Sequence, residues 1–190
     1  MKKKVYFTVA FFLLLTARVH ASSVIDQNQP LDNAVMAAFS QTDLAQSFQQ
    51  SSNNIDGAGI LLTPSGATDT VTISLWSALP NNGGSMLASA STLGTGGSWV
   101  DVFWTPVSDT PGTTMFLVFS GNTSLSIEGD LDNAYPYGQA YANAGYQSHP
   151  NYDYTFRTWT ESTAVPEPTT MLLLGLGLIG VAGVRRRIQK

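Results

Sequence analysis

Val71-Thr72-Ile73-Ser74-Leu75-Trp76 alternates large apolar residues with small polar ones. A period of two puts one face of a strand on a core and the other in water, and β-branched and aromatic residues favour that pleated setting. The pattern recurs from Trp99 to Trp104, where Val100, Val102 and Trp104 share one face and Trp99, Asp101 and Phe103 the other. Shorter runs of similar character occupy 45–49, 58–62, 86–92, 114–120, 125–128, 139–142 and 154–160.

Turn chemistry separates these runs. Thr63-Pro64-Ser65-Gly66, Pro80-Asn81-Asn82-Gly83-Gly84, Gly94-Thr95-Gly96-Gly97, Pro111-Gly112 and Gly121-Asn122 supply positive φ through Gly and Asn and a preset first corner through Pro. Short, regularly spaced strands without a long amphipathic helix predict an all-β fold, an antiparallel jelly-roll-like β-sandwich over residues 44–160. Residues 22–43 read as a leader and linker, with 22–30 flexible and one short helix over 32–40. Glu161 to Pro168 reads as a spacer.

The two ends differ from this middle. Lys2-Lys3-Lys4, the apolar run Val5 to Ala17 and Val19-His20-Ala21 have the order of a secretory signal peptide, residues 1–21, cut after Ala21. An uncleaved anchor helix is the alternative, with an apolar run short for a membrane span. At the other end, Val165-Pro166-Glu167-Pro168 disfavours helix, so a helix over 169–190 starts after it. Thr169 to Val184 carries no charge, sixteen residues or about 24 Å of helix against a hydrocarbon core of about 30 Å. Arg185-Arg186-Arg187 then holds the C-terminus in the cytoplasm and leaves the rest of the chain on the other side. Gly175-Leu176-Gly177-Leu178-Ile179-Gly180 fits G-x-G-x-x-G, but no strand precedes it and no acidic residue follows it by Lys190, so it is not read as a dinucleotide site.

Pro-Glu-Pro, a short glycine-rich apolar helix and a terminal Arg cluster together resemble the PEP-CTERM sorting signal of Gram-negative, exopolysaccharide-producing bacteria. The resemblance implies that Pro166, Glu167 and Pro168 are recognised by an exosortase, with Arg185, Arg186 and Arg187 completing the signal. It also implies export through the Sec machinery and signal peptidase, passage through the inner membrane on the C-terminal transmembrane helix, and arrival at the cell surface or extracellular matrix.

The middle has its own family look. Leu44-Ala45-Gln46-Ser47-Phe48, Val71 to Trp76, Leu87-Ala88-Ser89-Ala90, Trp99-Val100-Asp101-Val102, Pro111 to Val118 and Asp153 to Thr158 are similar to choice-of-anchor extracellular domains. That likeness implies a jelly-roll-like module and assigns no catalytic residue.

Eight of the nine Lys and Arg residues lie in the two terminal segments, and of thirteen acidic residues only Glu167 does. The middle region therefore keeps Arg157 against twelve acids, a net charge of −11. Nucleic acid, whose phosphates need Lys and Arg, is excluded as a partner. Divalent cations or neutral polymers suit the domain better, although an acidic surface also serves plain solubility. No cysteine occurs, so an exported domain must rely on its core.

The catalytic inventory is thin. Without the signal peptide His149 is the sole histidine, and between Ser148 and Pro150 it reads as a loop residue. No nucleophile elbow is present, and zinc lacks its usual Cys and His ligands. The reading is a non-enzymatic module. Its alternative is a glycoside hydrolase using paired carboxylates, with Glu128, Asp130 and Asp101 as candidates.

Two clusters invite binding. Glu128-Gly129-Asp130-Leu131-Asp132-Asn133 sets oxygens at alternate positions, so Glu128, Asp130, Asp132 and Asn133 are candidate ligands of a structural Ca2+, although a solvated acidic turn accounts for them somewhat better. All tyrosines except Tyr6 fall between Tyr135 and Tyr154. Tyr135, Tyr137, Tyr141 and Tyr146 are candidate stacking residues for an extracellular polysaccharide, against the alternative that they are sandwich core. Arg157, among Tyr154, Phe156 and Trp159, is expected to pair with an acid such as Asp153 or to pack on a ring.

Overall fold

Thr68–Trp76 is a strand, and along it Val71, Ile73 and Leu75 are fully buried while Thr72 and Ser74 face the other way. The rest of the domain is built around such strands. In chain order they are β1 (Ser22–Gln29), β2 (Ala34–Ala38), β3 (Leu44–Gln49), β4 (Asn54–Leu61), β5 (Thr68–Trp76), β6 (Met86–Thr95), β7 (Trp99–Ser108), β8 (Thr114–Gly121), β9 (Ser126–Asp130), β10 (Ala140–Ala142), β11 (Gln147–His149), β12 (Asp153–Tyr154) and β13 (Phe156–Ser162). A 3-10 turn, Pro80–Asn82, interrupts the series.

The computed structural model describes residues 22–162 and, in the tail, Gly175. The expected signal peptide (1–21), the Pro-Glu-Pro spacer beyond residue 162 and, Gly175 apart, the expected transmembrane sorting helix (169–190) lie outside the described residues. Among the described residues no helix is long and apolar enough to cross a membrane.

Among the described residues all strand pairings are antiparallel and form three sheets, in the orders β1-β13-β4-β7, β11-β10-β3-β8-β5-β6 and β12-β9-β2. The long strands pair in a nested way: β1 with β13, β3 with β8, β4 with β7, and β5 with β6. Between the first two sheets lies one core. Ile55, Ala58, Ile60, Val100, Val102 and Phe156 come from one side, and Leu44, Phe48, Val71, Ile73, Leu75, Leu117 and Phe119 from the other. The architecture is a β-sandwich.

Three expectations are corrected. Residues 22–29 are not a flexible leader: Ser22 pairs with Ser162 and Gln29 with Phe156, making β1 an edge strand of the first sheet. Residues 34–38 are a strand, not a helix. Ala and Met favour helix locally, but β2 pairs with β9 from Ala34↔Gly129 to Ala38↔Ser126 and buries Ala37, so tertiary pairing overrides propensity. Glu161 and Ser162 continue β13 instead of starting the spacer.

The expected strand 154–160 is divided at Thr155. Its N–H donates to Glu128 O at 2.9 Å in the third sheet, and its C=O accepts from Leu61 N at 3.1 Å in the first. The chain thus changes sheets there, and a buried Thr155 hydroxyl donates to Leu31 O to complete the crossing.

Candidate functional site

The tyrosine-rich segment does not form one surface. Tyr135 is buried: its ring meets Phe156 edge-on at 5.1 Å, and its hydroxyl donates to Gln27 Oε1 at 2.8 Å while accepting from Gln49 N at 3.2 Å. Burial pushes its phenol up to about 12, so it stays neutral as a structural donor. Tyr141 packs on Phe116 at 5.8 Å and its hydroxyl accepts from Gln139 Nε2 at 2.8 Å. Tyr146 sits in a turn with φ 53°, and burial first, then the Asp43 carboxylate, raises its phenol. Only Tyr137 of the four is exposed, at 60 %, with its ring edge-on to Tyr135 at 5.9 Å.

Beside Tyr137 opens a cleft of about 280 Å³ lined by Gln27, Gln49, Gln50, Ser51, Gly112 and Tyr137. Each wall has a local cause. Pro111-Gly112 makes a tight turn in which Gly112 takes φ 84° and Thr113 N donates to Thr110 O at 3.0 Å, the geometry that Pro followed by Gly favours. Gly112 N then donates to Gln50 O at 2.9 Å, which brings the turn against β3. The opposite wall is tied down by Asp26, which accepts from Gln27 Nε2, Ser51 N and Ser52 Oγ at 2.8, 2.8 and 2.6 Å. Burial alone would raise the Asp26 carboxyl, but these donors outweigh it and hold the group below its ordinary value.

The cleft is therefore lined by amides, a hydroxyl, a glycine and one ring, with no charged side chain among them. Several amides are fixed in advance: Gln27 Nε2 donates to Ser51 Oγ at 2.6 Å, and Gln50 Oε1 accepts from Thr158 Oγ1 at 2.8 Å. The amides and the hydroxyl can each donate or accept a hydrogen bond, the Tyr137 ring offers one apolar face, and no lining side chain is a carboxylate, imidazole or amine.

The expected calcium ligands lie elsewhere. Glu128 and Asp130 are buried on β9, and Asp130 is occupied by Asn33 Nδ2 at 2.6 Å and Asp132 N at 2.8 Å. Asn133 takes φ 53° and donates its N–H to Asn151 O at 2.8 Å. Among the described residues no three Asp, Glu or His side chains converge to hold a metal. Of the hydrolase candidates, Asp101 lies on β7 in an ion pair with Arg157, while Glu128 and Asp130 lie two positions apart on buried β9, where Asp130 is the register partner of Asp153 on β12.

Arg157 pairs with Asp101 and not with Asp153, while its guanidinium also packs over Trp99 and Trp159, as expected. Asp153 is fully buried and accepts from Gln46 Nε2 and Tyr135 N at 2.8 and 2.9 Å. His149 ends β11 and is not a loop residue; its ring stacks on Tyr152 at 5.8 Å. Sequence reasoning missed Gln27, Gln49, Gln50 and Ser51, because glutamines carry no motif and converge only once β1 is recognised as a strand.

Residues 164–187 match the family described as the PEP-CTERM protein-sorting motif. The matched segment contains Pro166, Glu167, Pro168 and Arg185 to Arg187. The motif implies export, processing by an exosortase and sorting to the cell surface. No curated protein and no solved structure matches the chain.

Proposed function

We propose that this is a non-enzymatic, jelly-roll-like module of a Gram-negative exopolysaccharide matrix, delivered by its PEP-CTERM tail and holding glycan in the cleft beside Tyr137. The nested pairing of β1 with β13 through β5 with β6 supports the jelly-roll reading, two interleaved Greek keys. One observation carries the glycan reading: a cleft of about 280 Å³ whose lining is four amide or hydroxyl side chains, a glycine and an exposed tyrosine. Neutral amides donate to and accept from hydroxyls without the desolvation cost of a charge, and the Tyr137 ring supplies an apolar face. Signal peptidase, the Sec machinery, an inner-membrane stage and a final place in the matrix complete the proposal.

The test has two arms. Residues 22–162 are purified and their binding to the producer's own exopolysaccharide is measured by affinity electrophoresis; Tyr137→Ala should weaken it roughly threefold to tenfold. Binding unchanged in that variant, or release of reducing sugar by the wild type, overturns the reading. For delivery, Glu167→Ala and deletion of Arg185 to Arg187 should each leave unprocessed protein in the membrane fraction, and normal surface release of both would count against the sorting assignment.

A further inference from the structure

Across the solvent side of the first sheet runs a row of register partners, Ile25 on β1, Trp159 on β13, Gly57 on β4 and Phe103 on β7. Their sequence neighbours Ala58 and Val102 point into the core, which fixes the row outward. Ile25 is 43 % and Phe103 51 % exposed. Phe103 and Trp159 meet above Gly57 with ring centroids 5.5 Å apart, and only glycine leaves them room: a Cβ there would stand 2.7 Å from Phe103 Cδ1.

The neighbouring row holds these rings in place. Arg157 Nε donates to Asp101 Oδ1 at 2.7 Å across Gly59, its Nη2 donates to Asp101 Oδ2, and Trp159 Nε1 donates to Asp101 Oδ1 at 3.0 Å. The guanidinium carbon lies 4.2 Å from the Trp99 ring centroid and 5.1 Å from that of Trp159. Charges in the patch cancel and its strongest donors are spent on one another. What faces outward is ring and aliphatic surface, set on strands and not on loops.

We infer that this face is a stacking platform for an uncharged polysaccharide chain, separate from the cleft beside Tyr137. Shape selects a chain: the row crosses four strands at 4.7–4.9 Å each, about 14 Å of open strip with no enclosing wall. Charge selects an uncharged one. The domain carries −11, so an anionic polymer and a second copy of the domain are both repelled, while the patch, with Asp101 paired to Arg157, offers a cationic partner no free carboxylate. The electron-rich ring faces of Phe103 and the two indoles attract the C–H face of a neutral sugar, and their fixed orientation lowers the ordering cost of binding.

Residues 22–162 contain all three sheets and their own core, so they serve as the test protein. Migration is followed in native gels containing hydroxyethyl cellulose, dextran or galactomannan, with alginate as the anionic control. Retardation by at least one neutral polymer and none by alginate is expected, with Phe103→Ala weakening it roughly threefold to tenfold both in the wild type and in a Tyr137→Ala background, from which the cleft's share of binding has been removed. In the wild type, the indole N–H signals of Trp99 and Trp159 should shift on adding that polymer, an observation that needs no variant. No retardation by any neutral polymer, retardation by alginate alone, or loss in Tyr137→Ala with Phe103→Ala unaffected overturns the platform. The last outcome would leave the cleft standing, so the two sites fail separately.

Discussion

Gln46 Nε2 lies 2.8 Å from Asp153 Oδ1, and neither residue has any exposed surface. The same glutamine accepts from Tyr154 N at 2.9 Å, and the other Asp153 oxygen accepts from Tyr135 N. Two side chains thus join β3 of the second sheet to β12 of the third and to the segment that carries Tyr137. Buried polar groups are tolerated when satisfied, and each missing partner costs a desolvation penalty.

Asp153→Asn follows from that geometry. Asparagine keeps one acceptor and turns an NH2 toward a donor, so the variant should lose about 1–3 kcal/mol in urea unfolding. The pH profile separates charge from hydrogen bonding. Burial raises the Asp153 carboxyl above its ordinary 3.8, more than its two donors lower it, with the Asp130 carboxylate adding to the rise. A raised folded value contributes stability that is fully present below the unfolded value and is lost as pH rises through the folded one. Wild type should therefore lose this component on going from about pH 3 to pH 7, and Asp153→Asn should not. A variant whose profile parallels that of the wild type across the range would refute the assignment.

Much of this fold is legible in the sequence wherever one strand face is buried and the other wet. β5 and β7 show it plainly, since Val71, Ile73 and Leu75, and Val100 and Val102, keep their period of two. β4 does not. Asp56 to Ile60 is buried on both faces, because Phe103 and Asp101 fold over Gly57 and Gly59, and a strand covered twice has no alternation to read. β1 hides for the opposite reason: Ser22–Gln29 is a largely exposed edge whose Ser23 and Gln27 side chains serve Asp56 and Tyr135 and whose Gln27 N–H donates to Thr158 Oγ1, contacts to distant parts of the chain. The outward Trp99, Asp101 and Phe103 were a visible cue to the aromatic patch, but their partners Arg157 and Trp159 could be placed only by register.

Gly59 is the position where backbone space and the ion pair meet. A Cβ there would stand 2.2 Å from Asp101 Oδ1 and 3.2 Å from Val100 O, so Gly59→Ala has to push the carboxylate off Arg157 and Trp159. The expected loss is about 2–3 kcal/mol in chemical denaturation, within the range of overpacking combined with a broken charge pair. Arg157→Lys should cost less, about 1 kcal/mol, because lysine keeps the charge but not the two parallel donors or the flat stacking surface. Near-UV circular dichroism reports the same event, since the indoles of Trp99 and Trp159 lose their fixed partner. Should Gly59→Ala retain wild-type stability and near-UV signal, the ion pair over β4 would carry no weight in the fold.

Deletion of residues 22–29 distinguishes an integral strand from a leader. β1 covers the edge of β13 from Ser22↔Ser162 to Gln29↔Phe156, and Gln27 accepts the buried Tyr135 hydroxyl. Without it β13 presents a long unpaired edge, the feature that promotes intermolecular strand pairing. One wall of the Tyr137 cleft is also lost, because Asp26 no longer anchors Ser51 and Ser52. The shortened domain should melt roughly 10 °C lower, equivalent to about 3 kcal/mol for a domain of this size, and should elute as larger species in size-exclusion chromatography. A monomer of unchanged melting temperature would show that these residues are dispensable after all. Intermediate behaviour is informative as well: a monomer that melts lower but keeps most of its affinity for neutral polymers would place binding on the sheet face, since the deletion removes only Ile25 from that row and leaves Trp159 and Phe103, whereas the Gln27 side of the cleft is lost.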